Sequence, residues 1–477
     1  MEIQVQVLSQ AEMVQVHERS LGILARTGVR VDSDRGRRIL GEAGAQVDES
    51  NQRVRFPVSL VEEALRQAPK SFTLGGRRPG FCLHMNSGEC TLLVDSEATQ
   101  VLDAETGEHQ PATYQDWLKA TCLIDALDEI GVYWKMVGET PPRNSEAALV
   151  AYFCDLFGNF TKHIQEATEN PEQTRWLLEV MQVVFGDQDH IRRLRPVSFL
   201  VCPLSPLILE GSYTDACLET LGWGIPVAVM PMPLMGMTSP GSLIATVVLG
   251  NCEALAMLVL LQAAAAGTPM IYASAPSVIE PHTGRFTGGA VEHGILYMAA
   301  TQMARYYGLP VEASTGGTEH HLPGIQAAYE RAINWVLPSL AWPDILVGPG
   351  LFEGSTVFSF EQLLLDVEVF RYCRRLHQGI TIQVGDSIEN KIEQVGPGGN
   401  FLTDRSFRET LRNGELYVSL WGKRDTYAGW LKAGKPTILE DIRWWIDELL
   451  TNHPPLPLDE AVKQELARLL QRASQSD

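Results

Sequence analysis

The stretch Ile225–Ala275, "IPVAVMPMPLMGMTSPGSLIATVVLGNCEALAMLVLLQAAAAGTPMIYASA", decides what kind of protein this is. Its middle, Ser242–Gly267, is long and apolar enough to be taken for a membrane span. It carries Asn251, Glu253 and Gln262, however, and it is followed by "TPMIYASAP", which reads as a strand. The segment is therefore read as a buried core helix held between two strands, the repeating unit of a parallel sheet covered by helices.

The same alternation runs outward from this unit. From about Tyr114 the candidate strands are "IGVYWKMV", "KHIQEA", "PVSFLVCP", "IPVAVMPMP", "PMIYASA", "LPVEAS" and "DILVGPG", with "ITIQV" as a weak eighth. Helical stretches such as "NPEQTRWLLEVMQVVFG" and "SYTDACLETLGWG" follow the first seven. Seven or eight such units in about 270 residues predict an α/β fold of the (β/α)8 TIM-barrel type. A doubly wound sheet is the alternative, but no GxGxxG follows the first strand. Residues 1–113 read as an N-terminal α+β cap, 114–385 as the barrel and 386–477 as a mostly helical C-terminal extension.

Composition narrows the partners. The chain has 477 residues, a net charge of −20 and a pI near 5.0, which argues against nucleic acid and favours a cationic or neutral substrate. Eight cysteines without a CxxC pair read as reduced and structural. The N-terminus "MEIQVQVLSQAEM" shows no signal-peptide pattern, so a cytoplasmic protein without a membrane partner is expected. Assembly into a homo-oligomer is also expected, as is common for large barrels.

In such a barrel, chemistry sits on the loops after the strands. The segments to inspect are Tyr133 and Trp134 with Glu139, Gln165 and Glu166, Ser205, Met232 to Ser239, Ser274 to Glu280, Glu312 to His321, and Gly348 to Ser359. One of them, "VEASTGGTEHH", invites two motif readings. "TGG" lacks the GK[ST] ending of a phosphate loop. His320 and His321, adjacent in an extended segment, point to opposite sides and have no third ligand close in sequence, so no metal is expected.

Five blocks, taken together and in order, resemble the trimethylamine methyltransferase family. They are "LSQAEMVQVHERSLGILARTGVRVDS", "RVRFPVSLVEEALRQAP", "PVAVMPMPLMGMTSPGSLIATVVLGNCEALA", "QMARYYGLPVEASTGGTEHHLPGIQAAYERA" and "STVFSFEQLLLDVEVFRYCRRLHQGI". The resemblance implies a barrel that moves a methyl group from a methylated amine to the Co(I) of a separate corrinoid protein. No cofactor is then bound tightly by this chain, and the cobalamin-type corrinoid is carried by the partner. The archaeal trimethylamine enzymes carry pyrrolysine, whereas the "TGGTEHH" region here has only standard residues. The chain therefore resembles the non-pyrrolysine branch, which includes glycine betaine:corrinoid methyltransferases.

That chemistry selects the candidate residues. A quaternary ammonium is drawn to aromatic faces, at about 0.5–2 kcal/mol per ring. Tyr133, Trp134, Phe352 and Phe358 are the cage candidates. Glu353, Glu312 and Glu166 are the candidate counter-charges, and a Glu312 facing the interior would be a buried charge in need of a partner or ligand. His320 or His321 is expected to hold a polar group of the substrate at the mouth, with Gln326 on the next helix following the same logic. His320, His321 and Glu353 are thus the expected catalytic group. The alternatives are a cofactor-independent lyase or isomerase with Glu353 or His321 as base, and a non-catalytic methylamine-binding protein.

Overall fold

The computed structural model describes residues 5–95, 97–103, 105–138, 145–380, 388–402 and 406–476. Eight strands form one parallel sheet: β1 (Thr91–Leu93), β2 (Ile130–Tyr133), β3 (His163–Glu166), β4 (Val197–Val201), β5 (Val227–Val229), β6 (Met270–Tyr272), β7 (Glu312–Ser314) and β8 (Ile345–Val347). Neighbours pair in chain order, and β8 returns to β1. A bridge between Tyr272 and Val311 joins β6 to β7 and closes the ring. The helices that follow the eight strands are α1 (Tyr114–Ala126), α2 (Glu146–Asn159), α3 (Pro171–Phe185), α4 (Gly211–Glu219), α5 (Leu243–Ala264), α6 (Val291–Tyr306), α7 (Ile325–Ala341) and α8 (Phe360–Gln378). This is the expected (β/α)8 barrel.

Two strand expectations are corrected. The sheet begins upstream of residue 114, because Thr91–Leu93 pairs on both sides as β1. Three residues buried on both faces show no period, so this strand reads as part of the cap. The strand taken as first is thus the second, and the one carrying Glu312 is the seventh. The ring is complete without "ITIQV", whose residues 381–384 lie outside the described residues, as does Glu139.

Helix α5 shows why the deciding stretch is apolar all round. Its inner side packs on the sheet, while helices Gln10–Arg26 and Val58–Gln67 of the N-terminal region cover its outer side. Of its most apolar window, 78% is buried inside the protein. Each polar residue that argued against a membrane span is paired. Asn251 Nδ2 donates to Ser20 Oγ and Tyr307 Oη, both at 2.9 Å. Glu253 accepts from Ser205 Oγ and Leu207 N at 2.8 Å, and Gln262 Nε2 donates to the Thr268 carbonyl at 2.9 Å.

The lower lumen is closed. A hairpin, Phe72–Gly75 with Cys82–Met85, sends Phe72, Leu74 and Met85 into the core formed by Leu93, Val132 and Ile345. The C-terminal extension braces the outside: helix Ile438–Asn452 packs on α1 and α8, and Glu460–Ser476 on α2 and α3. Arg443 Nε donates to Glu361 Oε1 at 3.1 Å, and the Tyr417 hydroxyl to Glu368 Oε2 at 2.8 Å.

Candidate functional site at the barrel mouth

Side-chain alternation along each strand decides what enters the lumen. On β2, Val132 points in and Tyr133 points out. The Tyr133 hydroxyl accepts from Trp117 Nε1 at 2.8 Å, and its ring lies 5.3 Å from that of Phe160. On β7, Glu312 points in and is 1% exposed. From across the ring Gln165 of β3 donates through Nε2 to Glu312 Oε1 at 3.2 Å. The Ser198 hydroxyl lies 3.2 Å from Gln165 Oε1 and 2.9 Å from His163 Nε2. His163 donates from Nδ1 to the Gly75 carbonyl at 3.1 Å, and burial holds its pKa down at about 4, so it is neutral.

Glu312 Oε2 is buried and has no hydrogen-bond partner. Burial pushes the carboxyl up to about 8, with the negative charge of Asp95 adding to the effect and the Gln165 bond opposing it. The carboxyl borders a cavity of 310 Å³ above β5 to β8, lined also by Asp95, Met230, Met232, Phe286, Tyr297 and Leu351. His293 stands behind it, 2.9 Å from Ser277 Oγ and 3.1 Å from the Tyr297 hydroxyl. Burial lowers His293 to about 4, so it brings no charge.

The glycine pair closes one side of this space. Gly316 has φ +63°, and a Cβ there would lie 3.0 Å from the Gly288 carbonyl oxygen. That carbonyl accepts from Gly317 N at 2.8 Å. The glycines therefore bring the loops after β6 and β7 together, and a side chain would hold them apart.

A wider cavity of 620 Å³ opens beside it, past β2, β3 and β4. It is lined by Trp134, Glu166, Glu97, Glu169, Glu210 and Lys135, among others. Both oxygens of Glu166 are engaged: Oε2 accepts from the Tyr152 hydroxyl at 2.7 Å and Oε1 from Ala167 N at 3.0 Å. Lys135 Nζ is 3.7 Å from Glu97 Oε1. Size favours this cavity, but the buried carboxylate oxygen without a partner belongs to the smaller one, and we place the site there.

The structure separates the remaining candidates. Phe352 is fully buried with Leu102, Ala327 and Val357, under the Arg331 guanidinium at 5.5 Å. Phe358 is fully buried edge-on to Phe360 at 4.8 Å. Like Tyr133 they line neither cavity, because the short hairpin Leu351–Phe352 and Val357–Phe358 turns both rings into the wall. His321 and Glu353 do meet, through Nδ1 and Oε1, with His109 Nδ1 3.7 Å from the same oxygen. This cluster sits on the rim and borders neither cavity. His320 turns back on its own loop, Nδ1 to the Leu322 carbonyl at 2.7 Å, and Gln326 Nε2 donates to Glu330 Oε1 at 2.9 Å along α7. No group of three His, Cys, Asp or Glu among the described residues is arranged to hold a metal.

Sequence reasoning missed Asp95 and Tyr297. Asp95 follows β1, which reads as a strand of the cap rather than of the barrel, and the apolar "LLV" before "DS" was the available signal. Tyr297 lies within α6 rather than after a strand, and no local pattern marks it.

A TIM barrel with an acidic, partly apolar mouth is the class that fold and site define. The family model described as trimethylamine methyltransferase (MTTB) matches residues 2–476, and the chain belongs to that family of methyltransferases. It is 27% identical to a trimethylamine methyltransferase of Desulfitobacterium hafniense, over 97% of this chain and 93% of that protein. It is 24% identical to a glycine betaine methyltransferase of the same species, over 96% and 95%. The crystal structure of the Methanosarcina barkeri monomethylamine methyltransferase shares the fold, with a TM-score of 0.50 at 13% identity over 92% of both chains.

Proposed function

We propose that this chain is a cytoplasmic, corrinoid-dependent methyltransferase that takes a methyl group from a quaternary or tertiary methylamine and passes it to a separate corrinoid protein. The observation that carries the reading is the buried, half-partnered Glu312 in a cavity with apolar walls at the C-terminal end of the strands. A methylated ammonium needs a counter-charge and apolar contacts for its methyl groups, and this cavity offers both.

In this reading the corrinoid is carried by a separate partner protein that docks at the mouth. When docked, the corrinoid supplies the Co(I) centre that accepts the methyl group. The residues of this chain bind and orient. Met230, Met232, Phe286 and Tyr297 surround the methyl groups, while Glu312 and Asp95 balance the charge. A quaternary ammonium already holds a neutral amine as leaving group, so positioning is the main task and no general acid is required.

The test is incubation with reduced Co(I) cobalamin and a panel of methylated amines, read by the absorbance of methylcobalamin. At least one amine gives methylcobalamin. None with any amine, under conditions in which a relative is active, overturns the reading.

A further inference from the structure

We infer that the lumen cavity selects a methylated ammonium of net positive charge with no carboxylate of its own, an amino alcohol or a simple tetraalkylammonium rather than a betaine, and that Glu312 sets this choice. The inference rests on the proposed binding of a methylated amine in this cavity and names its class.

Three observations carry it. The two charged side chains among the described residues lining the cavity, Asp95 and Glu312, are both acidic. The adjoining cavity repeats the sign, with Glu97, Glu166, Glu169 and Glu210 against Lys135, whose ammonium is already beside Glu97. A betaine would place a further carboxylate among these groups, where like charges in a poorly hydrated space oppose binding.

The second observation is the orientation of Glu312. One oxygen is held by Gln165, while the other is buried with no hydrogen-bond partner beside the cavity. A permanent cation cannot donate a hydrogen bond, but it removes the cost of a buried carboxylate by charge alone.

The third is what faces Glu312 from the elements around it. These are the Gln165 amide on β3, Asp95 past β1, and the Cys202 thiol past β4, which burial pushes up to about 12 and keeps neutral. The Tyr297 phenol on α6 lines the same space and is raised by burial, and His163, one step behind Ser198 and Gln165, is neutral. None of these brings a positive charge to Glu312, so a cationic ligand is what would favour its ionised form. With the free carboxyl at about 8, a cation entering at neutral pH displaces its proton, and affinity rises with pH until Glu312 is ionised without help.

The experiment is calorimetric titration of the full chain and of E312Q with tetramethylammonium, choline and glycine betaine, from about pH 6 to about pH 9, in buffers of different ionisation enthalpy. D95N is titrated alongside, and circular dichroism checks that each variant is folded. The wild type binds the two cations on the order of tenfold more tightly than glycine betaine. It releases up to one proton per cation near neutrality, and E312Q loses both the preference and the proton release. Should E312Q not fold, D95N must narrow the preference by weakening cation binding. Glycine betaine binding as tightly as the cations, or a preference and proton release unchanged in the folded variant, overturns the inference. If the cations bind as stated but no amine yields methylcobalamin, the transfer reading fails and the binding class stands; if glycine betaine is the best methyl donor, the reverse holds.

Discussion

Two carboxylates mark the mouth of this barrel, and they differ in every respect that matters. Glu353 stands on the rim between His321 and His109, in the loop after β8. Glu312 lies in the lumen, on β7 ahead of the glycine pair, with one oxygen bonded and the other alone. The rim carboxylate already has histidine neighbours and is partly open to solvent, so it gains less from a cation. The lumen carboxyl carries an unmet electrostatic demand, which is where binding free energy is available.

The largest effect that would break this comparison is on turnover. E312Q is expected to lower kcat/KM for methyl transfer on the order of 100-fold, through loss of a buried counter-charge. E353Q is expected to change it only a few-fold, and steady-state methylcobalamin assays on both variants decide between the two carboxylates. A larger loss in E353Q would return the site to the rim.

The next effect is on stability. Glu312 titrates at about 8 when folded, against an ordinary 4.5. Its proton is held more tightly in the folded state, so its contribution is fully present below 4.5 and is lost as pH rises through about 8. The glutamine variant has no such loss. Relative to the wild type it gains stability between about pH 5 and about pH 9, on the order of a few kcal/mol, measured by urea unfolding at both pH values. No gain would mean that Glu312 is better solvated than its surroundings indicate.

The smallest effect belongs to the rim. His321 is 67% exposed, and its pairing with Glu353 is screened by water. H321A is expected to cost less than about 1 kcal/mol of unfolding free energy. A larger cost in urea unfolding would show the rim cluster to be structural.

How much was legible follows from these residues. Strand and helix order from β2 onward could be read because each apolar strand is followed by a helical stretch, some with clear caps, such as Asn170 and Pro171 opening α3. The buried nature of α5 could be read from its three polar residues. That β1 belongs to the barrel rather than to the cap could not, since three residues carry no period, and Asp95 was lost with it. Tyr133 and Trp134 are neighbours in one segment, yet one faces the wall and the other the wider cavity. The absolute direction of that alternation needs the register of the closed sheet. Phe352 and Phe358 were chosen for following β8, but their hairpin buries them against α7 and α8 instead.

The sequence by itself determined the barrel unit, the acidity of the molecule and the family, because strand and helix periods, composition and ordered blocks are local or additive properties. Only the tertiary structure decided the site. Gln165 and Glu312 are 147 residues apart and meet only once the ring closes, and a carboxyl acquires its raised pKa from the water that the assembled barrel removes around it.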